Sequence, residues 1–397
     1  MSVRGRLFLG LGLFVAVQLA HIGARGWVAA WGPWALPARV PCFSDLRVTT
    51  GAADSLELGL DPREENPGAP FRQRFNLPGV WLGLRDLGVR ERHSPVLGLG
   101  LLAGYALGVW WLAAGATRGS AVALGALLLS PAALLAVERG TTDLAVFFLV
   151  ALACHVAARA PRGAMAVVVG AFGLKLFPLA AVLVALREPR ARALRLGATV
   201  LAGAGVFCAA DFSTLVDIAW KTEKGRELSY GWRALALWLD GRGATAAWTV
   251  AATVAGAALA AAALGIAAWR SWRARARAGR ENAEGRALDF FRAGAGVYVG
   301  TFLLGANWDY RLIFTLLLVP QLVAWARTQA IARLTIAALL IACWSPPLLA
   351  WAADGAPLAA VRALEELAKW ALYCGCVHAL ARTWPEWRAG RAFAQRS

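Results

Sequence analysis

The chain has 397 residues, 59% of them hydrophobic, a mean hydropathy of +0.55 and a formal charge of +17. Its apolar residues gather in runs of about 20, too much apolar surface for one soluble core and the length that crosses a bilayer core about 30 Å thick. The basic residues lie in short loops between those runs and form no single soluble patch, which argues against a nucleic-acid-binding protein.

The first run, Leu7 to about Ile22, follows Arg4 and Arg6. No small-residue cleavage site follows it and more runs come later, so it reads as an uncleaved first helix with its N-terminus in the cytoplasm. Residues 23–93 then form the longest polar stretch, with Trp27, Trp31, Trp34 and Trp81 suited to a membrane interface. This stretch is expected to be a folded extracytoplasmic loop within a single integral membrane domain spanning 1–397, and 211–243 a second such loop. Between and after them lie apolar runs at about 94–116, 120–137, 142–158, 164–186, 194–210, 244–269, 288–306, 312–326, 334–352 and 361–381. The expected fold is therefore all-α and polytopic, with about 10–12 helices.

Threading the runs alternately across a bilayer meets one conflict at 164–186, which has arginines before it (Arg159, Arg162) and after it (Arg187, Arg190, Arg192, Arg195). A broken re-entrant pair turning near Lys175 and Pro178 resolves it, because proline removes a backbone donor and disfavours helix in the residue before it. With that pair in place, the inner segments hold 22 basic residues against five acids (Glu188, Glu281, Glu284, Asp289, Glu386), a surplus equal to the whole net charge of +17. That asymmetry follows the positive-inside rule and puts the C-terminus in the cytoplasm as well. The remaining carboxylates cluster on the outer face, so chemistry is expected there.

Four segments offer chemistry. Asp45, in Cys42-Phe43-Ser44-Asp45-Leu46, has apolar neighbours and can act as a general base; the alternatives are a solvated loop acid or a helix cap, with Asp54, Asp61, Glu64 and Glu65 as rivals. In the turn Glu138-Arg139-Gly140-Thr141-Thr142-Asp143, Arg139 can hold a phosphate with Asp143 or Glu138 orienting it, or the turn is only an interfacial ion pair. Lys175 is one of only four lysines (with Lys221, Lys224 and Lys369) among 41 basic residues, a bias suggesting a GC-rich genome. A mid-run cation is costly unless it meets an anion or water; snorkelling is the alternative. Asn307-Trp308-Asp309-Tyr310-Arg311 offers an amide, an indole, a carboxylate, a phenol and a guanidinium to a sugar or phosphate, though Asp309 can also serve simply to neutralise Arg311. His155 and His378 sit alone on apolar runs and read as packing residues, as do the six cysteines, which show no disulfide or zinc spacing.

Taken in order, these segments resemble the polyprenol-phosphate-sugar-dependent glycosyltransferases of the integral-membrane C-type fold, particularly the mannosyltransferase-like family 87. The resemblance covers Phe43-Ser44-Asp45-Leu46, Gly59-Leu60-Asp61-Pro62, Glu65-Asn66-Pro67, Arg74-Phe75-Asn76-Leu77-Pro78, Glu138-Arg139-Gly140, Lys175-Leu176-Phe177-Pro178 and Asn307 to Arg311. It departs at Leu77, where an aromatic residue is expected, and at Gly79. The resemblance implies Asp45 as base and Arg139, Lys175 and Arg311 as receivers of the lipid phosphate, with Asp143, Asn307, Asp309 and Tyr310 in the substrate site. It also implies a hexose, such as mannose, moved with inversion from a polyprenyl-phosphate donor to a glycan or glycolipid at the outer face of a bacterial cytoplasmic membrane. No cofactor or metal is called for beyond the lipid-linked donor. A transporter or lipid flippase is the rival reading, because Lys175 lies in a broken helix pair.

Overall fold

The computed structural model describes residues 1–221, 228–273, 285–353 and 358–388. The basic loop 270–286 and the loop 211–243 therefore lie partly outside the described residues, as does the basic C-terminal stretch 382–396. Helix α1 (Val3–Arg25) opens the chain, capped by Ser2, whose Oγ accepts the Gly5 N–H at 3.0 Å. Only 6% of its most apolar stretch is covered by protein, and Leu9, Leu13, Val15 and Leu19 are exposed. An apolar helix left bare in this way has lipid as its solvent.

The long first loop folds on itself through α2 (Trp27–Trp31), α3 (Ser44–Glu57) and short 3-10 turns. There α3 meets the following turn backbone to backbone, since a Cβ on Gly51 would lie 2.4 Å from the Gly68 carbonyl oxygen. The fully buried Asn66 ties that contact down by donating to Val48 O at 3.1 Å and Gln73 O at 3.0 Å.

After α4 (Ser94–Leu112), α5 (Arg118–Leu128) and α6 (Pro131–Arg139) form a pair bent by 54°. The bend has a local cause: Ser130 donates to Leu127 O to close one helix, and Pro131 opens the next. Helices α7 (Asp143–Val156) and α8 (Pro161–Leu174) have 14 residues each, about 21 Å of rise, short of a full hydrocarbon core. Helix α8 stops at Leu174, Lys175 is extended (φ −155°, ψ 141°), and Phe177–Arg187 continues as a 3-10 helix. Proline at position 178 accounts for the break expected there.

Next come α9 (Arg190–Ala210), α10 (Phe212–Lys221), α11 (Ala234–Gly241), α12 (Ala246–Arg273) and α13 (Arg286–Leu303). A second interruption follows α13: Asn307 and Trp308 pair antiparallel with Tyr230 and Ser229 respectively, and Asp309–Leu318 forms another long 3-10 helix. The chain then continues through α14 (Val319–Ala326), α15 (Ala330–Ala353) and α16 (Leu358–Arg388). Nearly every residue of α13 is buried, because it packs against both 3-10 stretches.

Among the described residues six helices are long and apolar enough to cross a membrane, or seven counting the bent pair as one span. The chain is thus an all-helical, multi-pass membrane protein. The expected 10–12 helices included a broken pair at Lys175, and the chain breaks there between α8 and the 3-10 helix; the run 120–137 breaks as well, at Pro131, and 142–158 yields a 14-residue helix.

Glycine is required where the paired segment turns. Gly231 has φ +125°, and a Cβ there would lie 2.0 Å from the Gly305 carbonyl oxygen, whereas Gly243 (φ +77°) has open space around it. Gly231→Ala meets both backbone strain and a collision, Gly243→Ala strain alone. Thermal unfolding of the purified protein should show the first as the more destabilised, with a cost on the order of 3 kcal/mol. Equal melting of the two variants would contradict this packing.

Candidate functional site

One cavity of about 510 Å³ opens between the first long loop and the interrupted stretches. Its charged lining comprises Arg39, Arg63, Arg72, Arg74, Arg139 and Lys175 against two carboxylates, Asp45 and Asp217. Six cations line it against two anions, and although Arg139 and Lys175 are each paired with a carboxylate behind the lining, the surface keeps a positive surplus.

Asp45 reaches the cavity through a strained turn. Phe43 adopts the left-handed conformation (φ 60°) at the start of α3, and its ring is wedged between two glycines. A Cβ on Gly98 would come within 2.4 Å of Phe43 Cδ2, and one on Gly140 within 2.7 Å of Phe43 Cβ. Gly140 is also the left-handed cap of α6, so the same pair of glycines lets the turn that carries Asp45 lie against Arg139. Asp45 then occupies the first turn of α3, and 28% of its side chain faces the cavity. Walls of protein leave the carboxylate poorly hydrated, and that burial raises its pKa above the ordinary carboxylate range despite the opposing pull of Arg139, Lys175 and Arg39.

Arg139 is held on every side. Its Nε lies 3.2 Å from Glu138 Oε2, Nη2 donates to Pro37 O at 2.9 Å, and Nη1 donates to Ser44 Oγ at 3.2 Å and lies 3.9 Å from Asp45 Oδ1. Glu138 is itself fully buried and accepts the Arg39 N–H and the Trp27 Nε1–H. Of the two carboxylates considered as partners of Arg139, Glu138 is the one beside it. Asp143 instead sits beneath the cavity, 2.9 Å from Lys175 Nζ and 3.6 Å from Arg311 Nε. Lys175 is therefore a buried, paired cation, and it does not snorkel. Trp81 Nε1 donates at 3.0 Å to Leu174 O, a carbonyl left open where α8 ends.

Arg311 also donates to Asn307 Oδ1, and its guanidinium lies 5.0 Å over the Phe177 ring. Tyr310 lines the cavity beside Trp308, with the two rings parallel and 6.4 Å apart. A pair of parallel aromatic faces in a polar cavity suits the apolar face of a sugar ring.

Asp309 departs from expectation. It points away from the cavity and neutralises Lys369, not Arg311, at 3.0 Å, because neighbouring residues of this short turn project in different directions. There it joins a buried group with Glu365, Glu366 and Arg362 on α16. None of the rivals Asp54, Asp61, Glu64 and Glu65 lines the cavity; Asp54 accepts the Glu91 N–H and lies 3.6 Å from Arg90, and Asp61 accepts the Arg63 N–H. His155 stacks on Trp111 at 4.7 Å, and the six cysteines are free thiols. Sequence reasoning gave no role to Lys369 or to the cavity arginines 39, 63, 72 and 74. The usable signal was the alternation Phe71-Arg72-Gln73-Arg74-Phe75, in which aromatics are interleaved with guanidinium groups.

Comparison with protein-family models, curated proteins and solved structures gives no match to this chain.

Proposed function

We propose that this protein is an integral-membrane glycosyltransferase that moves a hexose, such as mannose, from a polyprenyl-phosphate donor to a glycan or glycolipid acceptor, inverting the anomeric centre. One observation carries the reading: Asp45, Arg139 and Lys175 line a single cavity at the end of apolar helices. A lipid-linked donor lays its phosphate among Lys175 and Arg139, with Arg311 behind them. These cations stabilise the charge that develops on the departing phosphate, while Asp45 takes the proton of the attacking acceptor hydroxyl. The sugar stands over Trp308 and Tyr310. The arginine asymmetry of the sequence orients the site toward the extracytoplasmic face of a bacterial cytoplasmic membrane, with both termini inside.

Purified protein in lipid should release polyprenyl phosphate from the sugar-charged donor only when acceptor is present. Donor left unconsumed in the presence of the extracted envelope glycolipids would sink the proposal. Orientation has its own check: an impermeant thiol reagent applied to intact cells should modify a cysteine placed beside residue 45 and spare one at residue 275, and the reverse pattern would overturn the topology.

A transporter or flippase is favoured by a different observation. Three interrupted helical stretches, 118–139, 161–187 and 286–318, contribute to the cavity or pack beside it, and broken helices are a hallmark of transport sites. Proteoliposomes decide between them, since a flippase moves the lipid-linked sugar across the bilayer unchanged and a transferase breaks its sugar–phosphate bond.

A further inference from the structure

The floor of the cavity holds more charge than its lining displays. Lys175 and Arg139 face the cavity, each with a carboxylate behind it: Asp143 Oδ1 lies 2.9 Å from Lys175 Nζ, and Glu138 Oε2 lies 3.2 Å from Arg139 Nε. Asp143 also serves a second cation, since its Oδ2 lies 3.6 Å from Arg311 Nε. Both carboxylates are wholly buried, and among the described residues no other carboxylate lies within ion-pair distance of Lys175 or Arg311. The set therefore has three cations against two anions, a net charge of +1. Asp45 stands apart from it, 28% exposed and 3.9 Å from Arg139, as the acid whose charge changes in the proposed step.

Asp143 is fixed by its place in the chain. It sits in the first turn of α7, where the helix dipole favours negative charge, and the Thr141 hydroxyl donates to its Oδ2 at 3.4 Å. Lys175 comes to it from the break after α8, and Arg311 from the turn after the paired segment. One buried carboxylate thus joins two interrupted stretches to the α6–α7 turn. A structural ion pair needs only one cation, whereas here a single carboxylate tempers two of the three.

A phosphodiester carries one negative charge, and a phosphate monoester about two at pH 8. A floor of +1 balances the first and leaves part of the second uncompensated in a site poor in water, where stranded charge is costly. From this match we infer that the floor selects a singly charged phosphodiester over a doubly charged phosphate monoester, and that Asp143 sets the selection by acting through Lys175 and Arg311. The inference rests on the glycosyltransferase reading and adds product release to it. When the bond between sugar C1 and the phosphate oxygen breaks, its electron pair stays on that oxygen, the acceptor oxygen bonds to C1, and the acceptor proton passes to Asp45. While Asp45 holds that proton the total charge of the site is unchanged. Once the proton leaves for water, the ionised carboxylate and the doubly charged phosphate oppose each other, and polyprenyl phosphate is expelled.

The test measures binding of two radiolabelled lipids, polyprenyl phosphate and its methyl ester, to full-length protein in phosphatidylcholine nanodiscs at pH 8. Wild-type protein should bind the methyl ester at least as tightly as the monoester. Coulomb energy scales with the product of the charges, so Asp143→Asn, which raises the floor to +2, should tighten both lipids and shift the preference toward the monoester by about tenfold. Lys175→Gln lowers the floor to zero and should shift the preference about tenfold the other way, with weaker binding of both. The Lys175→Gln/Asp143→Asn variant restores +1 and should return the wild-type preference, as should Asp143→Glu. This ladder follows net charge, which a merely structural role for Asp143 would not reproduce. Melting temperatures check folding, and should Asp143→Asn not fold, the wild-type preference, Lys175→Gln and the double variant still decide. A wild-type protein that prefers the monoester, or a preference that ignores the ladder while both lipids bind, would overturn the inference and leave the glycosyltransferase reading standing. If neither lipid binds, that reading falls and the inference with it.

Discussion

Asp45→Asn should lower kcat for sugar transfer by about 10²- to 10⁴-fold and leave the donor KM nearly unchanged, because it removes a proton acceptor while preserving shape. The fold should tolerate it. The carboxylate is 3.9 Å from Arg139 Nη1, and Arg139 keeps Glu138, Ser44 and Pro37 as partners without it. The pH profile follows from the same environment. Burial raises the Asp45 pKa, and only the ionised form accepts a proton. Transfer should therefore rise with pH through a midpoint above the ordinary carboxylate range, level off beyond it, and lose that limb in Asp45→Asn. Asp217, the other carboxylate lining the cavity, comes from α10 and is not among the charges that act most strongly on Asp45. Asp217→Asn should retain most of the rate. If the two variants exchanged behaviour, the base would be Asp217; if both kept full turnover, the single-base mechanism would be wrong.

What the sequence disclosed and what it hid divide along a physical line. Span-length apolar runs are set by bilayer thickness, so the multi-pass class was legible, and the break at Lys175 was legible because Pro178 cannot continue a helix. Helix lengths were not, since a 14-residue apolar helix such as Asp143–Val156 has the same composition as a full span. In the candidate site, Arg139, Lys175 and Asp45 stood out as charges beside apolar segments, and they share a cavity. Within Asn307–Arg311, however, Tyr310 lines that cavity while Asp309 turns away, and no periodicity exists in a five-residue turn to tell them apart. Lys369 was hidden for a similar reason. Its partner Asp309 is 60 residues away, and only the assembled helices bring the two charges to 3.0 Å.

That pair leads to the largest expected loss of stability. Lys369 is wholly buried, with Nζ 2.7 Å from Glu365 Oε1, 3.0 Å from Asp309 Oδ1 and donating to Ser229 O at 2.8 Å. Replacing it with methionine leaves the buried carboxylates of Asp309, Glu365 and Glu366 with Arg362 as the remaining cation of the group. Breaking a buried ion pair from one side costs about 3–5 kcal/mol, because the stranded charge keeps its desolvation penalty. Lys369→Met should accordingly melt well below the wild-type protein. Adding Asp309→Asn removes one stranded charge, so the double variant should recover part of the loss, a coupling that a purely steric role for Lys369 would not produce. The injury should also reach the cavity. Ser229 pairs with Trp308, and Asp309 precedes Tyr310 and Arg311, so releasing Lys369 frees the turn that presents the aromatic pair. At temperatures where Lys369→Met remains folded, its affinity for the sugar-bearing donor should fall more than its affinity for polyprenyl phosphate alone. A variant that melted like the wild type would show that this charge group contributes nothing net, and equal losses for both ligands would separate it from the sugar-binding face.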